Sequence, residues 1–237
     1  MTQSPNLSPD WRPVYLDLRG RIDGGDLTPG DRLPTIAALA SRQGISRYGA
    51  RRALERLRDE GLTRSWQGIG YEVAEPTIDI RVDGVPQWGA NAARAGRSGH
   101  ARMISSRIAR AQGSLARDMG VKLGTRVYLA ELLRSVDDRP LALSRSHFPM
   151  GRLDGILDDV CATGSVTQAL ARRGIDQCRR QRTLLEARMP TAHEALAIDM
   201  PKSQPVMVST GVNTDTDGTV VEVAVSVFRA DCVTFEL

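Results

Sequence analysis

Residues 35–61, TIAALASRQGISRYGARRALERLRDEG, decide how the first third of the chain folds. Thr35 offers a hydroxyl to the free backbone N–H groups at a helix start, and Ile36, Leu39 and Ala40 follow on one face. Gly44 stops that helix. Ser46 then caps another, whose Ala50, Ala53, Leu54 and Leu57 keep the i, i+3, i+4, i+7 spacing of a buried stripe. Gly61 closes it. Two helices this short and this tightly joined read as a helix-turn-helix.

Working outward, Pro13 suits the first position of an upstream helix running to Asp23. Val14, Leu18 and Ile22 share its inner face with Tyr15 alongside, and Gly24-Gly25 ends it. Thr28-Pro29-Gly30 is a turn. Downstream, residues 62–66 and 71–73 are short strands around Gln67-Gly68-Ile69-Gly70. Three helices and a hairpin over residues 1–75 predict a winged helix-turn-helix, a form that binds DNA.

The charge is distributed accordingly. Net charge is only +4, yet the 32 basic side chains include just two lysines, Lys122 and Lys202. Genome base composition alone can produce such a preference; placement is a separate matter. From Arg42 to Arg64 seven arginines stand against Glu55, Asp59 and Glu60. Such a stripe is an electrostatic footprint for nucleic acid. Arg47 and Arg51, four apart, share one face of the Ser46-capped helix opposite Ala53 and Leu57, with Tyr48 and Arg52 as the flanking row. Arg56 and Arg58 are read as solvated surface. A second basic tract, 94–117, is left without a role.

Residues 76–95, interrupted by Pro76, Asp83-Gly84 and Pro86, read as a linker with Trp88 as an anchor. From 96 to 237 the pattern is strands with short helices. Residues 127–134 and 141–148 flank the turn 137–140. Ser165 with Gln168 and Thr191 with Glu194 are capping boxes. Residues 181–189 form a further strand, and 206–214 with 219–228 flank Asp215-Thr216-Asp217-Gly218 as a hairpin. Strands adjacent in sequence imply a mainly antiparallel sheet with flanking helices, and the class is α+β.

With 41% hydrophobic and 25% charged residues, the chain has a globular composition. It lacks an apolar run of the ~18 residues a membrane span needs, and its start has no signal-peptide core. Cys161, Cys178 and Cys232 are scattered, as are His100, His147 and His193. The expectation is a cytoplasmic protein without metal, cofactor or membrane partner.

At this point the residues carry a resemblance. Pro13-Val14-Tyr15, Gly25-Asp26-Leu27, Pro29 to Pro34, Leu39-Ala40, Gly44 to Arg47, Arg51, Ala53-Leu54, Leu57, Glu60-Gly61-Leu62 and Gln67 to Gly70 closely resemble the GntR family of bacterial repressors. The resemblance implies operator DNA as partner, with Thr35, Ser46, Arg47, Tyr48, Arg51, Arg52, Gln67 and Gly68 at the interface. The family's usual Ser-Glu-Arg-Glu is Thr35-Ile36-Ala37-Ala38 here, and its two threonines after Ser-Arg are Tyr48-Gly49. A second copy is expected on a pseudo-palindromic site, since one winged helix covers only a half-site.

The remainder resembles the UTRA effector domain of the HutC-type branch, a chorismate-lyase-like fold. Leu123-Gly124-Thr125, Leu132-Leu133-Arg134, Arg139 to Ala142, Phe148-Pro149, Gly174-Ile175, Glu222 and Ser226 to Asp231 carry it. The ending Ser226 to Asp231 and the strand Arg179 to Thr183 are most similar to the phosphonate-metabolism regulators of that branch. The resemblance implies an effector-binding and dimerisation domain over 96–237, with Arg134, Ser144, Arg145, Ser146, Glu222 and Phe228 at the ligand. A small anion, a phosphonate or phosphate ester, suits the arginine donors. Strand alternation turns Arg145 away from Ser144 and Ser146 and ranks it below Arg134; pairing with Glu131 or Glu222 is the alternative for either arginine. An enzyme on the chorismate-lyase-like fold is the rival. No nucleophile–base set at recognisable spacing supports it, and it leaves the DNA-binding half unexplained.

Overall fold

The computed structural model describes residues 10–66, 70–74, 77–81 and 88–236. The chain divides into two compact units, Met1–Pro76 and Thr77–Leu237.

The first unit holds helices α1 (Arg12–Asp23), α2 (Ile36–Gln43) and α3 (Arg47–Asp59), then strands β1 (Thr63–Trp66) and β2 (Gly70–Val73). The strands are antiparallel, Thr63 opposite Val73 and Trp66 opposite Gly70. Thr35 Oγ1 accepts the Ala38 N–H at 3.2 Å and Ser46 Oγ accepts the Gly49 N–H at 3.1 Å, so both helix starts are capped. Between them Gly44 takes φ +61, which lets the chain leave α2 and enter α3 without strain. Val14 and Leu18 of α1, Leu39 of α2, and Ala50, Ala53, Leu54 and Leu57 of α3 meet in one core with Val73. Each buried leucine contributes about 1.5–3 kcal/mol, so this packing holds the unit without a disulfide.

The second unit opens with β3 (Ile78–Arg81) and α4 (Trp88–Arg94), followed by β4 (Gly99–Arg110), α5 (Gly113–Asp118), β5 (Arg126–Val136) and β6 (Arg139–Pro149). Helices α6 (Ile156–Thr163) and α7 (Val166–Arg172), strand β7 (Arg179–Arg188), helix α8 (Ala192–Ala197), β8 (Val206–Thr214), β9 (Val220–Arg229) and β10 (Val233–Glu236) complete it. Six strands form an antiparallel sheet in the order β4-β5-β6-β9-β8-β7. Helices α4, α6 and α7 cover one face, through Trp88 and Ala92 beside Phe228, and through Ile156, Val160 and Leu170 beside Leu132. The other face carries α5 and α8, through Ala116 beside Val127 and Val212, and Ala195 beside Leu143 and Val208.

One expectation is corrected. The presumed linker 76–95 contains β3 and α4. Ile78 and Ile80 are buried while Asp79 and Arg81 are exposed, a strand of four residues paired in parallel with β10. Its partner lies near the far end of the chain, so no local signal announces the pairing. Strand β4 has no strong sequence pattern of its own: it is a largely exposed edge strand, and edge strands lack the strong apolar alternation. Among the described residues no helix is long and apolar enough to cross a membrane.

Candidate functional site

In the first unit, α3 presents Arg47, Tyr48, Arg51 and Arg52 to solvent. The cap at Ser46 sets where the helix starts and hence where these side chains point. Tyr48 is 69% exposed, which is unusual for so large a ring. Arg47 and Arg51 have no ion-pair partner among the described residues. Arg52 differs: its guanidinium lies 5.1 Å from the Trp11 ring centre, a cation–π contact that restrains it. Arg56 is held by Glu60 at 2.8 Å, and both Glu60 oxygens accept from the Tyr15 hydroxyl. Thr35 serves as the α2 cap. Gln67 and Gly68 lie outside the described residues.

In the second unit a cavity of about 450 Å³ lies between the sheet and α4 and α7. Strand alternation builds its floor. Glu222, Ala224, Ser226 and Phe228 are successive same-face residues of β9, Leu132 and Arg134 come from β5, Ser209 and Asn213 from β8, and Arg180 from β7. Trp88 and Asn91 of α4, and Thr163 to Gln168 at the start of α7, form the roof, with His100 and Cys178 in the wall.

The polar groups are selectively paired. Arg134 Nε donates to Ser144 Oγ at 2.7 Å, and Ser144 Oγ lies 2.8 Å from Ser226 Oγ. Glu222, almost wholly buried, accepts from Asn213 Nδ2 at 2.6 Å. Left without protein partners are Arg180 Nε, Asn213 Oδ1 and Asn91 Nδ2, two donors and an acceptor around one space. Burial holds the Arg134 and Arg180 pKa values below the usual arginine range, against the pull of Glu222. Burial also raises the Cys178 thiol, with Glu222 and Asp215 adding to it. Two desolvated guanidiniums beside one carboxylate and an unpaired amide oxygen can hold an anion that also carries a donor.

The expected effector residues are thus separated. Arg134, Glu222 and Phe228 line the cavity. Ser144 is buried behind Arg134 and orients it. Ser146 is fully buried, and its hydroxyl meets neither the cavity nor a partner. Arg145 is a correction: it points through the other face, where Nε donates to Glu131 at 2.9 Å and Nη1 to Glu194 at 3.4 Å. Alternation opposes it to the serines, and Glu131 is its direct cross-strand neighbour. His147 shares that face, its Nδ1 3.2 Å from the Val223 carbonyl. Glu222 bonds Asn213 rather than Arg134. Arg180, Asn213, Ser209, Ser226 and Asn91 join the site without a sequence signal of their own, beyond the arginine-rich strand 179–182.

Comparison with known proteins follows this division. The model for bacterial regulatory proteins of the gntR family matches residues 12–73, and the UTRA domain model matches residues 94–234. The chain belongs to the GntR family of transcription regulators, in its UTRA-bearing, HutC-type branch. The HTH-type transcriptional repressor NagR of Bacillus subtilis (strain 168) is 28% identical to this regulator over 233 residues, 98% of this chain and 95% of its own. "Probable transcriptional regulator PhnF" of Escherichia coli (strain K12) is 27% identical over 209 residues, 88% and 86% of the two chains. The crystal structure of PhnF from Mycobacterium smegmatis shares the fold, with a TM-score of 0.64 at 24% identity over 94% of this chain and 97% of that one. The matched models and these relatives are transcription regulators, so the enzyme reading is set aside.

Proposed function

We propose that the regulator is a repressor that grips a pseudo-palindromic operator as a homodimer and releases it when a small anion enters the cavity of the second unit. Arg47 and Arg51 would read base edges or phosphates, with Tyr48 beside them and Arg52, steadied by Trp11, on the backbone. The observation that carries the effector half is the meeting of Arg134, Arg180 and Glu222 around unpaired Asn213 Oδ1 and Arg180 Nε. Charged groups are not desolvated for packing alone, and an anion would supply what they lack. The unpaired amide oxygen asks that ligand for an N–H or O–H. A phosphonate or phosphate ester bearing an amine or hydroxyl meets both requirements, and the cavity volume is within the ordinary range for small ligands.

The test is calorimetric titration of the full chain with inorganic phosphate, 2-aminoethylphosphonate, glucosamine 6-phosphate and a dicarboxylate, followed by gel-shift of operator DNA. Binding of a donor-bearing phosphoryl compound with operator release supports the reading; binding of none of them removes it. Light scattering tests the dimer: a monomer at micromolar concentration that still binds an isolated half-site tightly would contradict it.

A further inference from the structure

Acidic partners absorb many of the arginines of this chain. Arg81, Arg173, Arg182 and Arg188 each hold a carboxylate oxygen at 2.5–2.9 Å. Around α5 this stops. Residues 99–126 contain five arginines and Lys122 against a single acid, Asp118. Asp118 is itself taken by Arg182 at 2.5 Å.

Four of these six cations converge, while Arg102 and Arg107 lie farther back along β4. Arg110 and Arg126 sit directly opposite each other on β4 and β5, a like-charge placement that weakens a strand pair. Arg110 Nη1 reaches back to the Gly124 carbonyl at 3.1 Å, and the Thr125 N–H donates to the Lys122 carbonyl at 3.1 Å. The Gly120 N–H closes on the Arg117 carbonyl at 3.0 Å. Arg110, Arg117, Lys122 and Arg126 therefore occupy one small corner, the loop–helix–loop 111–125 and its two roots. All four are exposed, and none has an ion-pair partner among the described residues.

Arginine preference in the genome does not produce this, because it does not remove acids. Outside residues 42–64 and 99–126 the chain carries 19 basic against 24 acidic side chains. A third arginine-rich tract, 172–182, is committed: Arg172 and Arg173 pair with Asp159, Arg182 pairs with Asp118, and Arg180 lines the cavity. We infer that the α5 corner of the second unit is a second polyanion contact, and that its partner is the phosphate backbone of duplex DNA flanking the operator. Duplex DNA presents about one charge per 1.7 Å, so four uncommitted cations meet phosphates wherever the corner touches it and release condensed counterions. A membrane is the other polyanion to consider, since Leu123 at the tip of the corner is 71% exposed. DNA is favoured because this chain belongs to a DNA-binding family and its other exposed, largely unpaired basic tract lies on the helix-turn-helix.

The test uses the full chain and the triple variant Arg110→Gln/Lys122→Gln/Arg126→Gln, with matched thermal melts. Fluorescence anisotropy is read across a salt series on duplexes of roughly 20 and roughly 60 base pairs, both centred on the operator. On the long duplex the log–log salt slope of the variant should be shallower by about 0.9 for each phosphate no longer neutralised, two to three in all, with little change on the short one. Lys122→Glu alone, a surface change with no partner to break, should move the long-duplex slope the same way and serves if the triple variant melts early. An unchanged slope on the long duplex overturns the inference. So does loss of binding to phosphatidylglycerol vesicles with an unchanged DNA slope, which assigns the corner to lipid.

Discussion

The guanidinium of Arg180 lies against the backbone of Gly211, where a Cβ would collide with it. Gly211 is opposite Thr183 in the β7–β8 ladder while Arg180 is opposite Asn213, so the arginine leans along the neighbouring strand into the cavity. The glycine is required by close approach rather than by its dihedral angles. Gly211→Ala should therefore fold, because the obstructing group is the far end of a flexible side chain, but it should push Arg180 aside. Removing one charge-assisted hydrogen bond, about 1.5–3 kcal/mol, weakens effector binding roughly 10- to 150-fold. Arg180→Ala should match it and the double variant should add little, as residues acting through one interaction do. Fully additive losses in calorimetry would show that Gly211 acts by another route.

Arg134 is oriented by a buried hydroxyl, not by a carboxylate. Ser144→Ala removes the acceptor of its Nε and leaves the Ser226 hydroxyl without that neighbour. Stability should fall by about 1–3 kcal/mol, the cost of buried polar groups left unpaired. Effector affinity should fall as well, but less than in Arg134→Ala, which deletes the charge. Equal affinity in Ser144→Ala and wild type would mean that the cavity walls hold Arg134 without the serine.

The first unit is legible in the sequence because its signals are local: two caps, one stripe and left-handed glycines such as Gly44 and Gly61 all act within a few residues. The cavity is legible only in part. Alternation along β5 and β9 is regular, so the faces of Arg134, Glu222 and Phe228 follow from counting. On β7 the register shifts between Arg180 and Arg182, and counting no longer shows which of Arg179, Arg180 and Arg182 turns inward. The pairing of Arg145 with Glu131 is a cross-strand relation a hairpin reading can supply, whereas Glu194 arrives from a helix 49 residues away. Strand β3 depends wholly on β10.

Ser46 and the arginines behind it can be separated experimentally. Ser46→Ala removes the acceptor of the Gly49 N–H and should cost about 0.5–2 kcal/mol of stability. Arg47→Ala and Arg51→Ala remove exposed, unpaired charges, so thermal melts should barely move. Each should nevertheless cost about 1–3 kcal/mol of specific operator binding. Retained operator affinity in the folded double variant would take α3 off the DNA.

The Glu194 carboxylate ties the edge of the second sheet to α8. Arg188 donates to both its oxygens at 2.8 Å, and it also accepts the Thr191 N–H at 2.9 Å. These bonds, the Arg188 pair first, hold its pKa down from 4.5 to about 2 despite burial. The folded value lies below the unfolded one, so this carboxylate stabilises the fold fully above pH 4.5 and loses that contribution as pH falls towards about 2. Glu194→Gln keeps the size and removes the charge. It should be less stable than wild type at neutral pH, and the gap between their denaturation midpoints should narrow steadily over that acid window. Asp215, held low by Arg152, and Asp137, held low by Arg97, titrate in both proteins and cancel from the difference. A gap that stays constant from neutral pH down to about 2 would show that Glu194 acts through shape alone and that its charge adds nothing.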